Sequence, residues 1–298
     1  MTRILLLGKA GQVGWELQRS LQPLGEVVAL GRDSADLSDL DALRRLLIAT
    51  KPNIIVNAAA YTAVDRAETE RELAMRLNGA APALLAEEAA KQGALLVHYS
   101  TDYVFDGRRE SAYAEDDATA PLNHYGVSKL AGETAIRASA ARHLIFRTSW
   151  VYGGRGNNFL RTILRLARQR EELRIVADQL GAPTSSRLIA DTTAAVLARF
   201  LRRDYEDGVY HMTAAGATSW HGFANAIVEG ARRRLPAGFV KTQKVTPITT
   251  AEYLLSAVRP GNSRLDCKKI TRQFAIELPG WEVGLALCLE ELAAAQGN

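Results

Sequence analysis

The first thirty residues contain the feature that most constrains the fold of this chain. The apolar run RILLL is followed by three glycines spaced three apart, Gly8, Gly11 and Gly14, then by the helical segment WELQRSLQPLG and a second apolar run, EVVAL. Two apolar strands connected by a helix are typical of a parallel pair, because parallel strands need a crossover connection whereas antiparallel neighbours are usually joined by a short hairpin. The start of the chain therefore predicts a β-α-β unit.

The same alternation continues to about residue 150. Helical segments LSDLDALRRLLIAT and RLNGAAPALLAEEAAKQG, and a helix from about residue 125 to 141, alternate with the apolar runs NIIVNAAA, ALLVHYS and HLIFRTSW. Strands this continuously apolar are buried on both faces, as in parallel sheets. The pattern predicts an α/β fold with a Rossmann-type doubly wound parallel sheet.

The sequence pattern changes after Trp150, where short predicted strands and proline-containing connections replace the regular alternation of strands and helices. We interpret residues 1–150 as a dinucleotide-binding domain to which later segments return. Residues 151–298 would form mainly a smaller, interrupted substrate-binding lobe. Within it, FLRTILRLARQREELRIV has the spacing of a helix with a core-facing stripe of Leu and Ile and solvated arginines.

Composition excludes several classes of function. The 37 basic and 33 acidic residues are spread along all 298 positions, so no dense basic patch indicates a nucleic-acid partner. Cys267 and Cys288 have no metal-ligand spacing, nor do the five histidines. No apolar stretch approaches the length of a membrane span. We expect a soluble, cytoplasmic protein with no membrane or nucleic-acid partner.

The glycine turn predicts a dinucleotide site. Glycines without side chains allow a pyrophosphate to approach the backbone at a helix N-terminus, where free N–H groups favour anions. After the second strand the sequence reads GRD, and Arg32 there suits the 2′-phosphate of NADPH. Asp33 leaves NADH possible, and a solvated loop arginine is the alternative interpretation of Arg32.

The stretch from Ser100 to Lys129 contains a candidate proton-handling set. Tyr125 and Lys129 are four residues apart, so on a helix they lie about 40° apart on one face. Thr101 and Asp102 end the strand ALLVHYS, at the edge where open α/β sheets bind ligands. Thr101 would hydrogen-bond the oxygen that Tyr125 protonates, and the Lys129 ammonium together with the positive nicotinamide would lower the pKa of Tyr125. Helix packing, and a turn closed by Asp102, are the alternatives.

These motifs together resemble a known family. The combination of GxxGxxG, NAAAYTAVD, STDYVFDG, the Tyr125 to Lys129 spacing and RTSWVYG is similar to the extended short-chain dehydrogenase/reductase superfamily. Within it, GQVGWELQ, NNF, DQLGAPT and RPGNSRLD resemble the dTDP-4-dehydrorhamnose reductase family. The resemblance implies NADPH-dependent reduction of the C4 ketone of a nucleotide sugar, in dTDP-rhamnose biosynthesis.

The resemblance also implies roles for individual residues. The pyrophosphate would lie on Gly8, Gly11, Gln12, Val13 and Gly14; the adenine on Asp36 and Leu37; the nicotinamide side on Ala58, Ala59, Ala60, Tyr61 and Thr62. The catalytic set would be Thr101, Tyr125 and Lys129, of which Lys129 also holds the nicotinamide ribose. The sugar would be positioned by Asp102, Trp150, Arg259 and Asn262.

Three related functions compete with reduction. A sugar-nucleotide dehydratase needs a second carboxylate after Asp102, and this chain has Tyr103 there. An NAD-dependent sugar-nucleotide epimerase needs the same Tyr and Lys and remains an alternative. A non-catalytic nucleotide-binding regulatory subunit is a second alternative, although such a module has little need of an intact Thr, Tyr and Lys set.

The resemblance raises one further question, about metal. Some members of the family bridge a dimer through Mg²⁺ held by glutamates, and Glu16 with Glu290 or Glu291 are the candidates here. However, the segment after GAPT contains Arg187, a cation where an oxygen ligand would be needed. We therefore expect no obligatory metal, and either a monomer or a homodimer.

Overall fold

The computed structural model describes residues 1–203, 205–253 and 255–295. Its strands, in chain order, are β1 Arg3–Leu7, β2 Glu26–Leu30, β3 Ile54–Asn57, β4 Leu95–Thr101, β5 His143–Thr148, β6 Val151–Tyr152, β7 Glu172–Val176, β8 Leu180–Gly181, β9 Thr184–Ser185, β10 Gly208–His211, β11 Thr218–Ser219 and β12 Lys244–Ile248. Six of them form one sheet in the order β2-β1-β3-β4-β5-β10, and every pairing in it is parallel.

Helices connect these strands. They are α1 Gln12–Ser20, α2 Leu40–Thr50, α3 Arg71–Met75, α4 Ala81–Gln92, α5 His124–Ala138, α6 Phe159–Ala167, α7 Ser186–Phe200, α8 Trp220–Arg234, α9 Lys268–Phe274 and α10 Trp281–Ala294. A π-helical turn, Arg76–Ala80, joins α3 to α4. Among the described residues, no helix is both long and apolar enough to cross a membrane.

Both faces of the large sheet are covered by helices. Successive side chains of a strand point to opposite faces, so Ile4 and Leu6 enter one core with residues of α1, α7 and α9. Leu5 and Leu7 enter a second core with residues of α2, α4 and α5. This arrangement confirms the Rossmann-type doubly wound parallel sheet.

The later part of the chain builds a third core. Helices α6, α8 and α10 pack around buried aromatic side chains, including Tyr152, Phe223 and Trp281. Strands β7 and β12 form a separate parallel pair. The strand β10, by contrast, lies at one edge of the large sheet. The division at residue 150 stays a prediction.

The segment that we expected to be one long helix after residue 158 is shorter in the structure. Helix α6 ends at Ala167, and Glu172–Val176 forms β7. The reason is pairing: β7 lies beside β12 over five residues, with Leu173 and Val176 buried. The expected helix is therefore wrong for its second half, because a pairing partner some seventy residues away overrides the local helical spacing.

The strand order locates the ligand edge. Strand β1 pairs with β2 on one side and with β3 on the other, so the chain leaves β1 and β3 in opposite directions across the sheet. In open α/β sheets a crevice forms at the carboxyl ends of the strands at such a reversal. The loops after β1, β3 and β4 meet there.

Candidate active site

The glycine turn after β1 is closed tightly. Gly8 has φ of +87°, and a Cβ atom at Gly14 would overlap the carbonyl oxygen of Gly8. Gly11, the middle glycine of the three, precedes α1 and gives it no side-chain cap. The first N–H groups of α1, including those of Gln12 and Val13, are therefore free of a capping side chain. This cradle fits the pyrophosphate of a dinucleotide.

The loop after β3 forms the wall beside the glycine turn. A Cβ atom at Gly8 would lie 2.7 Å from the backbone nitrogen of Ala59. Tyr61 is anchored through its backbone, whose N–H donates to Asn78 at 2.9 Å, and its hydroxyl donates to Glu70 at 2.8 Å. Its hydroxyl proton is thus already engaged. The loop after β3 therefore lies directly against the glycine turn. A nicotinamide-side wall formed by Ala58, Ala59, Ala60, Tyr61 and Thr62 stays a prediction.

A cleft of about 190 Å³ lies in the loop after β2, where the adenine is expected. Arg32 and Asp36 line it; they pair at 3.5 Å, with the Arg32 side chain 82% exposed. Hydrogen bonds from Ser38 lower the pKa of Asp36, so it stays a carboxylate. Leu37 is 4% exposed and packs into the core, so only its backbone can reach a ligand. Contacts of these residues with the cofactor stay predictions.

The catalytic candidates meet at the carboxyl end of β4. Thr101 donates to Asp102 Oδ1 at 3.0 Å, and Tyr125 is buried beside both residues. Burial raises the pKa of Asp102 to about 7. Its Oδ2 has no hydrogen-bond partner among the residues described. The structure thus brings Thr101, Asp102 and Tyr125 together, with a carboxyl group that is largely desolvated.

The pKa of Tyr125 differs from our expectation. Burial raises it well above the usual value, and the neighbouring Thr101 hydroxyl offsets only part of the rise. For the chain by itself the expected lowering is therefore wrong, because burial is the largest cause. Lys129 directs its Nζ to Tyr99 O at 2.6 Å and to His98 Nε2 at 3.1 Å, and its joint effect with a bound nicotinamide stays a prediction.

The start of α5 fixes where Tyr125 lies. Asn123 caps the helix by accepting from Gly126 N at 2.8 Å. A Cβ atom at Gly126 would overlap the carbonyl oxygen of Tyr103, so the helix begins in contact with the loop after β4. The ring of Tyr103 then packs edge-on against Tyr125, with centroids 5.6 Å apart.

Trp150 is held in an unusual conformation. Its φ is +49°, a strained value for a bulky residue, and it is 9% exposed. A Cβ atom at Gly181 would stand directly above Cε2 of the indole, and Trp220 stacks on the ring. Since both faces are covered, a sugar can contact Trp150 only along its edge.

Arg259 lies beside the site but is already paired. Its Nη2 donates to Asp65 Oδ2 at 2.6 Å, and its side chain is 16% exposed. Asp65 also accepts from Ala257 N at 3.1 Å. Sequence reasoning did not identify Asp65, although it belongs to the quoted motif NAAAYTAVD. The expected contact of Arg259 with the sugar nucleotide stays a prediction.

Asn262 has no free side-chain group. Its Nδ2 donates to the carbonyls of Arg109 and Ser111, each at 2.7 Å. Its Oδ1 accepts from the backbone and the side chain of Arg264. The side chain therefore fixes a loop, and the expected contact with the sugar would have to break one of these bonds.

Two further residues near the site were not identified from the sequence as site residues. Asn57 lies at the end of β3 and His98 in β4, and both are about 1% exposed. Asn57 Nδ2 is 3.2 Å from His98 Nδ1. The spacing of His98 indicated no metal site, and its contact with Lys129 was not visible in the sequence because 31 residues separate them.

The suggested metal ligands form ion pairs instead. Arg187 Nε is 3.4 Å from Glu16 Oε2, and its Nη1 pairs with Glu291. Glu290 pairs separately with Arg234 at 3.4 Å. Among the described residues, no group of three or more His, Cys, Asp or Glu side chains is arranged to hold a metal. The guanidinium of Arg187 thus supplies the positive charge between the glutamates.

A larger cleft, of about 540 Å³, lies away from these residues. It is lined by Pro52 and Asn53, which precede β3, and by Gln92, which ends α4. This places it at the amino ends of the strands, opposite the glycine turn. The site above is therefore the better candidate, because its catalytic groups converge there.

Comparisons with known proteins agree with this geometry. The family model described as the RmlD substrate binding domain matches residues 1–294. A relative from Burkholderia thailandensis, named dTDP-4-dehydrorhamnose reductase, is 51% identical over 294 residues, covering 97% of this chain and 99% of the relative.

Solved structures give the same similarity. A dTDP-4-dehydrorhamnose reductase from Clostridium acetobutylicum has a TM-score of 0.90 and 33% identity, covering 98% of this chain and 99% of the other. The enzyme of the same name from Bacillus anthracis, in complex with NADP, has a TM-score of 0.88 and 34% identity, covering 98% and 100%.

Proposed function

The chain belongs to the family of the RmlD substrate binding domain, and we propose that it reduces the C4 ketone of dTDP-4-dehydro-L-rhamnose with NADPH. The product is dTDP-L-rhamnose, and the step is the last of its biosynthesis. The observation that carries the proposal is the convergence of Thr101, Asp102 and Tyr125 at the carboxyl end of β4. This arrangement supports Thr101 and Tyr125 as the two hydroxyl groups that would bind one carbonyl oxygen, beside the glycine turn.

The residues present fit the cofactor. The turn of Gly8, Gly11 and Gly14 and the uncapped start of α1 would hold the pyrophosphate, with Gln12 and Val13 in its first turn. Arg32 would bind the 2′-phosphate, since it is exposed at the adenine cleft. When bound, NADPH supplies the hydride that is added to C4.

The protein handles the proton. Tyr125 donates its hydroxyl proton to the ketone oxygen, which becomes the C4 hydroxyl, while the Thr101 hydroxyl turns from Asp102 Oδ1 to donate a hydrogen bond to the same oxygen. The tyrosinate left behind is costly, because burial raises the pKa of Tyr125. Lys129 lies one turn further along α5, and in its ammonium form it offsets this cost.

The substrate side is formed by four residues. Asp102 would accept from a sugar hydroxyl through its unpartnered Oδ2. The edge of Trp150 would limit where the ring can lie, and Arg259 would contribute its positive charge. Asn262 would act through the loop that it fixes.

The alternatives have less support. The relative from B. thailandensis is named a reductase and not an epimerase. A binding module needs no convergence of Thr101 and Tyr125. A small-molecule nucleotide sugar is the partner in this proposal. The cytoplasmic location, and the choice between monomer and homodimer, remain predictions.

The test follows oxidation of NADPH in the presence of dTDP-4-dehydro-L-rhamnose made in situ. We expect turnover to dTDP-L-rhamnose with the native chain and a loss of about 10²-fold to 10⁴-fold in kcat for Tyr125→Phe. Tyr205→Phe is the matched control, since Tyr205 packs on Phe274 in the first core. Its rate should equal the native rate.

Two outcomes would contradict the proposal. A native chain that binds NADPH but gives no turnover would favour the regulatory binding module. Interconversion of sugar nucleotides without net oxidation of NADPH would favour an epimerase.

A further inference from the structure

A line of buried polar groups runs beneath the wall formed by Ala58 and Ala59. Asn57 and His98 lie directly across from each other on the neighbouring parallel strands β3 and β4. Lys129 reaches them from α5, and it is 2% exposed. The three side chains form consecutive contacts: Asn57 Nδ2 to His98 Nδ1 at 3.2 Å, and His98 Nε2 to Lys129 Nζ at 3.1 Å.

One backbone group fixes the direction of this line. The N–H of Ala59 can only donate, and it points at Asn57 Oδ1, 3.2 Å away. The amide of Asn57 is therefore oriented with its Nδ2 toward His98. Since an amide NH₂ can only donate, His98 Nδ1 must accept.

The same reasoning locates the proton of His98. Burial lowers its pKa well below the usual value, so the ring is neutral. A neutral imidazole carries one proton, and with Nδ1 accepting, that proton is on Nε2. The Nε2–H group then points at Lys129 Nζ.

This geometry bears on the charge of Lys129. An ammonium group has no lone pair and cannot accept a hydrogen bond, whereas a neutral amine can accept one and still donate. Lys129 Nζ donates to Tyr99 O at 2.6 Å. A neutral amine satisfies both contacts, and an ammonium satisfies only the contact with Tyr99.

We propose that His98 is a positioning residue that sets the protonation state of Lys129, through the N–H group that Asn57 directs onto Nζ. The neutral amine is the form that matches the observed contacts. To accept from an ammonium, His98 must carry its proton on Nδ1, and the amide of Asn57 must rotate and lose its bond with Ala59. The charge of Lys129 is thereby coupled to the tautomer of His98.

The other titratable groups near Lys129 do not remove the coupling between its charge and the tautomer of His98. Glu133, one turn further along α5, favours the ammonium. However, its carboxylate is bound by Arg147 at 2.7 and 3.0 Å, and both side chains are 1% exposed. Tyr125 on the same helix stays neutral, because its pKa is raised. Burial lowers the pKa of Lys129 itself to about 8.

The kinetic consequence rests on the proposed function. Reduction leaves a tyrosinate at Tyr125, which needs the ammonium form of Lys129 beside it. We therefore expect kcat/KM to fall as pH rises through the pKa of Lys129. A change that reverses the hydrogen bonds of His98 should move this fall to higher pH.

The first experiment uses the full native chain without ligand, labelled with ¹⁵N in histidine. The correlations between ring nitrogens and carbon-bound protons show which nitrogen carries the proton, and His98→Gln assigns the signal. We expect the proton of His98 on Nε2 above pH 6. A proton on Nδ1, or a charged ring, would overturn the proposal without any reference to activity.

The second experiment uses Asn57→Asp to reverse the direction of the hydrogen bonds that join residue 57, His98 and Lys129. One carboxylate oxygen can still accept from Ala59 N, while the other accepts from His98 Nδ1–H. We expect the His98 proton to move to Nδ1, and the fall in kcat/KM to shift upward by about one pH unit, a tenfold change in the acid constant of Lys129. Asn53→Asp adds the same charge at the opposite, exposed end of β3 and should shift nothing.

The outcomes separate the proposals. A shift in the pH profile of Asn57→Asp without movement of the His98 proton would assign the effect to the added charge and overturn our inference. If Asn57→Asp does not fold, the tautomer of the native chain still decides. Absence of NADPH turnover in the native chain would contradict the proposed function and leave the tautomer measurement valid.

Discussion

The indole of Trp150 lies flat on the indole of Trp220, with ring centroids 3.5 Å apart and ring planes 8° apart. Gly181 closes the opposite face of Trp150. Trp220 is in turn held by a hydrogen bond from its Nε1 to Gln179 at 3.1 Å. A strained residue at the predicted sugar site is thus fixed by groups from the second half of the chain.

Gly181→Ala tests the packing of Trp150 between Trp220 and Gly181, called the sandwich below. The added Cβ would overlap the indole of Trp150, so we expect the ring to move and the free energy of unfolding to fall by about 1–3 kcal/mol. KM for the nucleotide sugar should rise about tenfold, while the Kd for NADPH should stay within twofold. Gly154→Ala is the control, because its Cβ would meet only Leu292 at 3.7 Å. Equal effects of the two variants would contradict a role for the sandwich.

Arg32→Ala tests the choice of cofactor. The side chain is 82% exposed and paired only with Asp36, at 3.5 Å, so its loss should hardly change stability. A charge-assisted bond to a phosphate contributes about 1.5–3 kcal/mol. We therefore expect the Kd for NADPH to rise by about tenfold to a hundredfold and the Kd for NADH to remain unchanged, as measured by nicotinamide fluorescence. A parallel weakening of both cofactors would assign Arg32 a general role.

Asp102→Asn tests the cost of the buried carboxyl group. Burial raises the pKa of Asp102 from 3.8 to about 7, so the folded chain keeps a proton that the unfolded chain has already released. The stability of the native chain should fall as pH rises between these values, by at most about 4 kcal/mol. The Asn variant lacks this dependence and should be the more stable at pH 8, with little difference at pH 4. Urea unfolding at both values is the measurement.

Equal stability of the two proteins at pH 8 would mean that Asp102 ionises at its ordinary pKa. Activity gives an independent comparison. The amide can still accept from Thr101, so a loss of turnover in Asp102→Asn would point to its contact with the sugar.

Arg187→Glu tests the ion-pair cluster. The guanidinium lies between Glu16 and Glu291, and replacing it would bring three carboxylates together. We expect the variant to be less stable than the native chain and to recover about 1.4 kcal/mol when Mg²⁺ is present at ten times its Kd. The native chain should show no change in Tm with Mg²⁺. A native Tm that rises with Mg²⁺, or a variant that ignores it, would contradict this interpretation.

Much of the fold was predictable because its signals are local. Apolar runs at β1 and β4, and the glycines between β1 and α1, specify elements through residues that are close in sequence. The spacing of Tyr125 and Lys129 likewise placed both on α5. The error at residues 172–176 arose where pairing with β12 outweighed the local pattern.

The sequence by itself determined the parallel sheet and the glycine turn, and it predicted the proton-handling residues, since each depends on residue type and short spacing. The tertiary structure decided what those residues touch. Strand order placed His98 beside Asn57 and thereby oriented Lys129, and packing between distant segments covered both faces of Trp150. The physical reason is that hydrogen-bond direction and burial are set by neighbours in space, which lie tens of residues away along the chain.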